Sequence, residues 1–334
     1  MLDIKNQIMY RKNTSIFHIN WIESLIYTQI YQFSGVLVIL FILWFFFIKY
    51  ILRYKIVVTL LNVRSHEESH SRIQYIIFKT VLCNCDFIIT HLNSVMIDAV
   101  KIYNVDRNKI ISFPIHPMIK PDCNITKKEA RLFLGISEDA FVYCFFGNIR
   151  KYKGIHDLIN AFNEIKDKKD VLLYIIGNPS DKNYVKYLYK MIDEYSINKY
   201  IHFIPKFIPD KLVQYYIKSC DIGVIPYETD NSFFPSSIFA FFQFGIPVIT
   251  SEKNATKEVC GKYALYFKRS NVENLKNILI EVKNKRNNLV SLQEDLINIY
   301  FTYVKEQDNA AKKIIKIYRY LMFKQNDDLP THLI

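Results

Sequence analysis

Residues 140–154 read AFVYCFFGNIRKYKG, and this stretch decides the fold. An unbroken apolar run over residues 140–146 ends at Gly147 and passes directly into a loop that carries three cations. A short continuous apolar run with such punctuation is typical of a parallel strand that is covered on both faces. In residues 155–165, apolar side chains recur three and four positions apart, as in a helix that packs one face on a sheet. The stretch therefore predicts a strand–loop–helix unit.

The same alternation of short apolar runs and helical segments extends to both sides. The predicted strands are residues 55–63, 86–90, 109–113, 140–146, 171–177, 201–204, 221–226 and 247–250. A polar stretch at 117–126 separates the first three strands from the other five, and the pattern is helical after Ser270. We therefore predict an α/β fold of two βαβ-type units joined by a linker, with a helical tail. Because such sheets bind ligands at the carboxyl ends of their strands, we expect a site in a cleft between the units.

The composition narrows the classes of partner. The chain of 334 residues has Lys+Arg 44 and Asp+Glu 32, a formal net charge of +12, which favours anionic small molecules or an acidic membrane. The charge is spread along the chain and no RNA-binding motif is present, so we expect no nucleic-acid partner. The six cysteines form no CxxC pair and no zinc array, which predicts a reducing compartment and no structural metal.

One long apolar segment lies at residues 33–52, FSGVLVILFILWFFFIKYIL. Its uninterrupted apolar part, residues 35–48, is shorter than the roughly 20 residues that span a hydrocarbon core. Its aromatic residues and the basic neighbours Lys49, Arg53 and Lys55 suit the boundary between acyl chains and headgroups. We favour a helix that lies in the membrane interface, with a buried domain helix and a membrane span as the alternatives.

Two loops could bind an anion. After the strand that ends at residue 146, Arg150, Lys151 and Lys153 precede the start of a helix, and cations beside free helix N–H groups suit a diphosphate. Residues 226–237, PYETDNSFFPSS, end in Ser236 and Ser237, either of which could cap a helix that points at the same anion. For each loop taken alone, a solvated basic loop or an ordinary capped helix is the alternative.

Other motifs exclude some cofactors and metals. Gly177 ends another strand and suits a turn that faces a nucleotide, but no GxGxxG or P-loop follows any strand. Residues 66–70, HEESH, formally match the HExxH zinc pattern. They directly follow a predicted strand and have no third ligand downstream, so we interpret His66 as a loop histidine that faces the cleft, with a solvated loop as the alternative.

The order of these motifs resembles the C-terminal domain of GT-B glycosyltransferases, specifically the retaining family 4, whose members transfer sugars from nucleotide-diphosphate donors. The runs that carry the resemblance are FFGNIRKYKGIHDLINAFNEI at 145–165, VLLYIIGNP at 171–179, IHFIPKFIPDKLVQYYIKSCDIGVIPY at 201–227 and SSIFAFFQFGIPVIT at 236–250. Upstream, KIVVTLLNVRSHE at 55–67 and IISFPIHP at 110–117 look like pieces of the acceptor domain. Residues 310–321 resemble the C-terminal helix that crosses back.

The resemblance implies a GT-B fold in which two Rossmann-like domains face each other across a cleft. The implied division is a shortened acceptor-side domain at 1–125, a nucleotide-sugar-binding domain at 126–304 and a helix at 305–325 that packs back on the first domain.

The resemblance also implies site residues. Lys153 matches the lysine that binds the donor diphosphate, with Arg150 as its cationic partner. The implied donor-binding set is Gly147, Arg150, Lys153, Gly177, Glu228, Ser236 and Ser237. His66 and His116 are the candidates for positioning the acceptor or the sugar, and no metal or cofactor is implied.

Two functions follow from the resemblance and its departures. The first is a retaining hexosyltransferase that uses a UDP- or GDP-sugar and a lipid-linked or polysaccharide acceptor in cell-surface glycan synthesis. We expect this enzyme in the cytoplasm, on the inner face of the membrane. The second is a non-catalytic relative that serves as a binding or assembly subunit, because Ser232 and Ala240 stand where the family often has two glutamates. Glu228 is the candidate replacement for one of them.

Overall fold

The computed structural model describes residues 15–20, 22, 35–63, 72–113, 125–228 and 236–323. These residues form two compact units. Those up to Phe113 and from Lys305 onward belong to the first unit, and those from 125 to Val304 belong to the second. Each unit contains one parallel sheet, which confirms the predicted α/β class with two parallel-sheet domains.

The described residues of the first unit form four parallel strands that pair in chain order. Its strands are β1 (Ile16–Asn20), β2 (Lys55–Leu60), β3 (Phe87–Thr90) and β4 (Ile110–Ser112). The helices that connect them are α1 (Gly35–Phe46), α2 (Arg72–Asn84) and α3 (Asn93–Tyr103). A π-helical turn at Phe47–Ile51 continues α1, and the structure describes no helix long and apolar enough to cross a membrane.

The second unit contains six parallel strands. They are β5 (Phe141–Phe146), β6 (Val171–Ile176), β7 (Ile201–Ile204), β8 (Ile222–Ile225), β9 (Val248–Ser251) and β10 (Ala264–Phe267). Its helices are α4 (Lys127–Leu134), α5 (Ile155–Asn163), α6 (Lys182–Glu194), α7 (Asp210–Ser219), α8 (Ser237–Phe242), α9 (Asn254–Cys260), α10 (Val272–Asn284) and α11 (Asn287–Val290). The last helix, α12 (Gln293–Phe323), begins in this unit and continues into the first.

The strand order of the second sheet locates its binding edge. The strands lie in the order β7-β6-β5-β8-β9-β10, which is the doubly wound order 3-2-1-4-5-6 when β5 is counted as the first strand. The chain therefore winds in opposite directions from the neighbouring strands β5 and β8. Doubly wound sheets bind ligands in the crevice beyond the carboxyl ends of two such strands.

The C-terminal part of α12 completes the core of the first unit. Ala310, Ile317 and Leu321 are buried in one cluster with side chains of the sheet, among them Val57 of β2 and Ile89 of β3. Burial of apolar surface contributes roughly 25 cal/mol for each Å² removed from water, so this contact stabilises the packing of the helix on the sheet.

The described part of the apolar segment, residues 35–52, is neither fully buried nor fully exposed. Phe45 and Ile48 point into the core, whereas one surface of α1 and its π-helical turn is open. We call this surface the α1 apolar face; it consists of Val36, Ile39, Leu40, Leu43, Trp44, Phe47, Tyr50 and Ile51. The alternative of a helix that is buried within its domain is wrong for this face, because Val36 is 61% exposed and Leu43 59%.

The sequence missed two strands, and both lie at sheet edges. β1 pairs only with β2 among the described strands, and β10 only with β9. Edge strands are covered incompletely: β1 includes the polar residues His18 and Asn20, and three of the four residues of β10 are partly exposed. Polar residues interrupt the apolar run of β1, whereas β10 is a run of four apolar residues that the sequence analysis did not assign as a strand.

Candidate functional site

The candidate site lies at the carboxyl ends of β5 and β8, where the chain winds in opposite directions. A cavity of about 260 Å³ opens there. Its walls are the residues that follow β5, the side chain of Lys153, one face of α8, and Tyr300 of α12. All of these residues belong to the second unit. The predicted site residues Gly147, Lys153, Ser236 and Ser237 line this one cavity.

Gly154 allows the backbone of the loop after β5 to pack closely against the loop after β8. Its φ is +64°, and a Cβ atom at this position would lie 1.9 Å from the carbonyl oxygen of Pro226. The same two loops share a backbone hydrogen bond, in which the N–H of Glu228 donates to the carbonyl oxygen of Tyr152 at 3.0 Å. Only glycine fits a backbone approach this close, so the position of Lys153 depends on Gly154.

Gly177, at the end of β6, permits a second close approach. A Cβ atom at Gly177 would lie 1.8 Å from the carbonyl oxygen of Gly147. Gly177 thus shapes the cavity wall through backbone contact with Gly147, and its predicted role toward a nucleotide stays a prediction.

Lys153 is held by hydroxyl groups. Its Nζ donates to the phenol oxygen of Tyr227 at 3.0 Å and lies 4.8 Å from the centroid of that ring. The same phenol is 2.6 Å from the hydroxyl of Ser237. No carboxylate of the described residues lies within ion-pair distance of Lys153. Since an ammonium has three N–H donors, Lys153 keeps donors that can bind an anion.

The charge of Lys153 is stable at neutral pH. Burial lowers the pKa of Lys153, whereas the phenols of Tyr227 and Tyr152 raise it, and the net change is upward. An ammonium that stays protonated in a cavity, near apolar side chains, provides a strong electrostatic attraction for a diphosphate.

The prediction that Ser236 or Ser237 caps α8 is wrong, whereas their role in donor binding stays a prediction. Ser236 has helical backbone angles and makes no capping hydrogen bond with its side chain. Ser237 is buried, and its hydroxyl is engaged by Tyr227. Neither serine therefore caps α8, since the helical conformation already extends through Ser236. Ser237 acts on the site by fixing the phenol that fixes Lys153.

The described side-chain hydrogen bond of Arg150 joins it to Ser180 and not to a group that holds Lys153. Its Nε donates to the hydroxyl of Ser180 at 3.0 Å, in the loop that follows β6. The neighbouring N–H of Ile149 donates to the carbonyl oxygen of Asn178 at 2.9 Å. The structure thus places Arg150 beside β6, and its role as the cationic partner of Lys153 stays a prediction.

Glu228 is engaged by a histidine that the sequence did not single out. His156 Nε2 lies 2.8 Å from a carboxylate oxygen of Glu228 and 3.8 Å from one of Asp157. On its other side, His156 Nδ1 is 3.0 Å from the phenol of Tyr184. Burial lowers the pKa of His156, but the contact with Glu228 outweighs it and the net change is upward.

The same group has the side chains that a metal ion would need. One ligand atom each of His156, Asp157 and Glu228 lies within 4.8 Å of the others. The ion pair between His156 and Glu228 already compensates the charge, so the geometry is explained without a metal. Glu228 is therefore positioned at the carboxyl end of β8 by His156.

Lys253 is a second cation at this edge that the sequence analysis missed. It follows β9, and its Nζ lies 5.9 Å from the ring centroid of Tyr227, the same ring over which Lys153 lies. Burial lowers the pKa of Lys253 to about 7, although the charge of Glu228 opposes the shift. The sequence feature that could have identified Lys253 is its position three residues after the predicted strand at 247–250.

Three residues of the sequence argument, His66, His116 and Ser232, lie outside the described residues. Ala240, where the resemblance places a glutamate, lines the cavity.

The two parallel-sheet units define a protein of the GT-B fold class. A model of the family described as glycosyl transferases group 1 matches residues 126–299, just over half of the chain. The chain belongs to this family of glycosyltransferases. A search of curated proteins by sequence finds no match.

Solved structures share the fold. HepE from Anabaena, crystallised with UDP and glucose, is 14% identical over 85% of this chain and 76% of its own, with a TM-score of 0.69. Sucrose-phosphate synthase from Thermosynechococcus elongatus is 17% identical over 82% and 71%, with a TM-score of 0.64. WaaG, a glycosyltransferase involved in lipopolysaccharide biosynthesis, is 14% identical over 76% and 73%, with a TM-score of 0.64. At these identities the likeness shows the GT-B fold alone.

Proposed function

We propose that the protein transfers a hexose-type sugar from a UDP- or GDP-sugar to a lipid-linked or polysaccharide acceptor in cell-surface glycan synthesis. The observation that carries the proposal is the protonated Lys153, held by a phenol in a cavity at the carboxyl ends of β5 and β8. Two proteins of the same fold add support, since HepE was crystallised with UDP and glucose and WaaG is involved in lipopolysaccharide biosynthesis.

The proposed chemistry follows from where charge develops. The bond between the anomeric carbon of the donor sugar and the diphosphate oxygen breaks, and the diphosphate gains negative charge. Lys153 stabilises that charge because its ammonium is already oriented by Tyr227 and Ser237. The acceptor hydroxyl forms the new bond on the same face of the sugar, and its proton passes to an oxygen of the departing diphosphate. This route requires neither a metal nor a cofactor.

A turnover assay tests the proposal. The protein is incubated with a panel of UDP- and GDP-sugars and with membrane lipid extract as acceptor, and glycosylated lipid is measured. We expect one donor to be used, and Lys153→Met to lower the rate about 10²–10³-fold, as loss of one charge-stabilising donor does elsewhere. Lys186→Met, at an exposed lysine of α6, is the control and should match the wild type. Full turnover by Lys153→Met would contradict the proposed site.

The alternative function is a non-catalytic relative that serves as a binding or assembly subunit. Ala240 favours it, because this wall of the cavity lacks the carboxylate that the family resemblance leads one to expect. Calorimetry with the same donors separates the two. The enzyme should bind its donor with measurable heat, and the non-catalytic relative should not.

We further propose that the protein works at the cytoplasmic face of the membrane and rests on it through the α1 apolar face. A large exposed apolar surface is unusual on a protein that has no partner there. Basic side chains border the face: Arg53 is exposed, while Lys49 and Lys55 share the carboxylate of Asp86 at 3.4 and 3.3 Å. Apolar and aromatic side chains beside cations suit the surface of an anionic bilayer.

Co-sedimentation with vesicles tests the membrane contact. The wild type should bind vesicles that contain acidic phospholipid. Leu43→Glu should weaken this binding at least about tenfold, because it removes apolar area and adds a negative charge that the acidic lipid repels. Leu132→Glu in α4, where the side chain is 82% exposed, makes the same change away from the α1 apolar face. Equal binding by the two variants would overturn the proposal.

A further inference from the structure

The second half of α12 is strongly cationic. Residues 309–323 contain three lysines and one arginine but no Asp or Glu. The Nζ of Lys313 lies 5.4 Å from the ring centroid of Phe113, whereas the side chains of Lys312, Lys316 and Arg319 are exposed. Positions three and four apart lie on one side of a helix, so these three exposed cations form a single row.

Other helices balance their lysines with acidic residues. Lysines of α6 and α10 form ion pairs with a glutamate three or four positions away; in α6, the Nζ of Lys190 is 3.5 Å from a carboxylate oxygen of Glu194. In α12, by contrast, Lys312 and Lys316 are like charges four positions apart, which destabilise a helix. The helix dipole attracts cations only within the last turn, and both lysines lie before it. The row therefore costs stability in the chain alone, and an anionic partner would offset that cost.

Two apolar side chains lie among these cations, since Ile315 is 49% exposed and Tyr320 36%. We call the surface made of Lys312, Ile315, Lys316, Arg319 and Tyr320 the α12 basic stripe. At about 1.5 Å per residue, the helix rises roughly 10 Å between the first and the last of its cations. One small anion cannot contact cations this far apart, so the stripe fits an extended chain with repeated negative charges.

The α12 basic stripe and the α1 apolar face lie on opposite sides of the first sheet. In β1, the ring of Phe17 contacts Trp44 of α1, with ring centroids 5.6 Å apart. The next residue, His18, contacts Tyr318 of α12, with ring centroids 5.8 Å apart. Successive side chains of a strand point to opposite faces of its sheet, so α1 and α12 cover opposite faces. The stripe is on the outer side of α12, because Ile317 of the same helix is buried against the sheet. A bilayer under the α1 apolar face would lie across the sheet from the stripe, which favours a polyanion in the aqueous phase.

We propose that the α12 basic stripe binds an anionic glycan, the acceptor chain itself. The inference rests on the proposed function and names its acceptor class, a polysaccharide whose sugars carry carboxylate or phosphate groups. Lysine and arginine bind both groups through charge-assisted hydrogen bonds, and the guanidinium of Arg319 can hold a carboxylate with two parallel bonds. Ile315 and Tyr320 supply apolar surface for the C–H groups of sugar rings. The membership of the chain in a glycosyltransferase family favours a glycan over a nucleic acid or an acidic protein.

Binding of the full chain to defined polyanions tests the inference. The probe is polygalacturonate, a linear glycan with one carboxylate per sugar, and its methyl ester is the matched chain without charge. We expect the wild type to bind polygalacturonate and not the ester. The stripe variant, Lys312→Gln with Lys316→Gln and Arg319→Gln, should bind polygalacturonate about tenfold more weakly, as the loss of three exposed ion pairs predicts.

A control variant removes the same charge from the second unit. It combines Lys186→Gln, Lys211→Gln and Lys268→Gln, at three exposed lysines, and should bind polygalacturonate within about twofold of the wild type. Thermal unfolding should show the stripe variant at least as stable as the wild type, because the repulsion within α12 is removed. Equal losses of affinity in the two variants, or binding of the ester as tight as that of polygalacturonate, would overturn the inference.

Other polyanions separate the classes of partner. Polyglutamate and a single-stranded oligonucleotide, each with the same number of charges as the glycan, represent an acidic protein and a nucleic acid. Tighter binding of either one than of polygalacturonate would overturn the inference. A loss of binding to acidic vesicles as large as that of Leu43→Glu would also overturn it, since the stripe would then be a membrane surface.

Titration with the panel of UDP- and GDP-sugars distinguishes this inference from the proposed function, because the stripe variant should keep the wild-type affinity for the donor. If the wild type binds polygalacturonate through the stripe but binds no nucleotide-sugar, the proposed function fails and the acceptor role fails with it, while the glycan-binding surface stands. If the wild type binds a nucleotide-sugar but shows no stripe-dependent binding of polygalacturonate, the inference alone is refuted.

Discussion

The cationic side chains at the two edges of the second sheet have different partners. At the amino-terminal edge, the carboxylate of buried Asp221 is 2.7 Å from Lys127, 2.9 Å from Arg131 and 3.1 Å from Arg286. At the carboxyl-terminal edge, Lys153 donates to a phenol, and no described carboxylate pairs with it. The cations of the first edge are thus used within the protein, whereas Lys153 is available to a ligand. The first edge stabilises the fold, and the second edge carries the cation that we propose binds a diphosphate.

Removing the carboxylate at the amino-terminal edge should have the largest effect on stability. Asp221→Ala leaves three cations unpaired, two of them partly buried, and also removes the acceptor for the N–H of Val142. We expect the free energy of unfolding to fall by about 3–5 kcal/mol, measured by denaturant titration. Nucleotide affinity of the folded protein should stay within about twofold of the wild type.

The control for that change is the exposed pair between Lys257 and Glu252. Glu252→Ala should cost less than about 1 kcal/mol, because solvent screens exposed ion pairs. Equal costs for Asp221→Ala and Glu252→Ala would show that the amino-terminal edge does not hold the fold together.

A substitution at Gly154 should damage both stability and binding. Gly154→Ala would force a Cβ atom against the carbonyl oxygen of Pro226, so the two loops must separate. We expect a loss of about 3 kcal/mol in the free energy of unfolding, together with weaker nucleotide binding.

Gly135 provides a matched control for Gly154. Its φ of +67° is nearly the same, but nothing lies within 4 Å of the position of its Cβ atom. Gly135→Ala should cost only about 1 kcal/mol, the price of the left-handed conformation, and leave binding unchanged. If both variants lose the same stability and neither loses affinity, the close approach at Gly154 does not shape the site.

The smallest expected effect is a proton taken up when the donor binds. The folded pKa of Lys253, about 7, means that this amine is partly neutral at pH 7.5. A diphosphate nearby would favour the charged form and raise the pKa, so binding at pH 7.5 takes up as much as about three-quarters of a proton, and the affinity falls as the pH rises from 7 to 8. Titrating UDP-glucose in buffers of different ionisation enthalpy measures the uptake, and Lys253→Met should abolish it. Buffer-independent heats at pH 7.5 would place Lys253 outside the donor site.

The sequence predicted the elements that are buried on both faces. β5 and the neighbouring β6 and β8 are apolar throughout, because helices cover both faces of a central parallel strand. Lys153 was identified from the same pattern. It follows the carboxyl end of β5, and doubly wound sheets bind ligands at the carboxyl ends of their strands.

The missed features depend on juxtaposition in the folded chain. Ser237 was a candidate from the sequence, but its contact with Tyr227 was not, because no local pattern shows that the two hydroxyls lie together beside Lys153. His156 likewise follows β5, but its partner Glu228 follows β8, over seventy residues later.

The central claim is that Lys153 binds the diphosphate of a nucleotide-sugar, and the most direct test is calorimetric titration of the wild type and Lys153→Met with the nucleoside diphosphate of the preferred donor. Lys186→Met serves as the control, and thermal unfolding verifies that all three proteins are folded. We predict saturable binding by the wild type and by Lys186→Met, and an affinity at least about tenfold weaker for Lys153→Met. Equal affinities of the wild type and Lys153→Met would contradict the account.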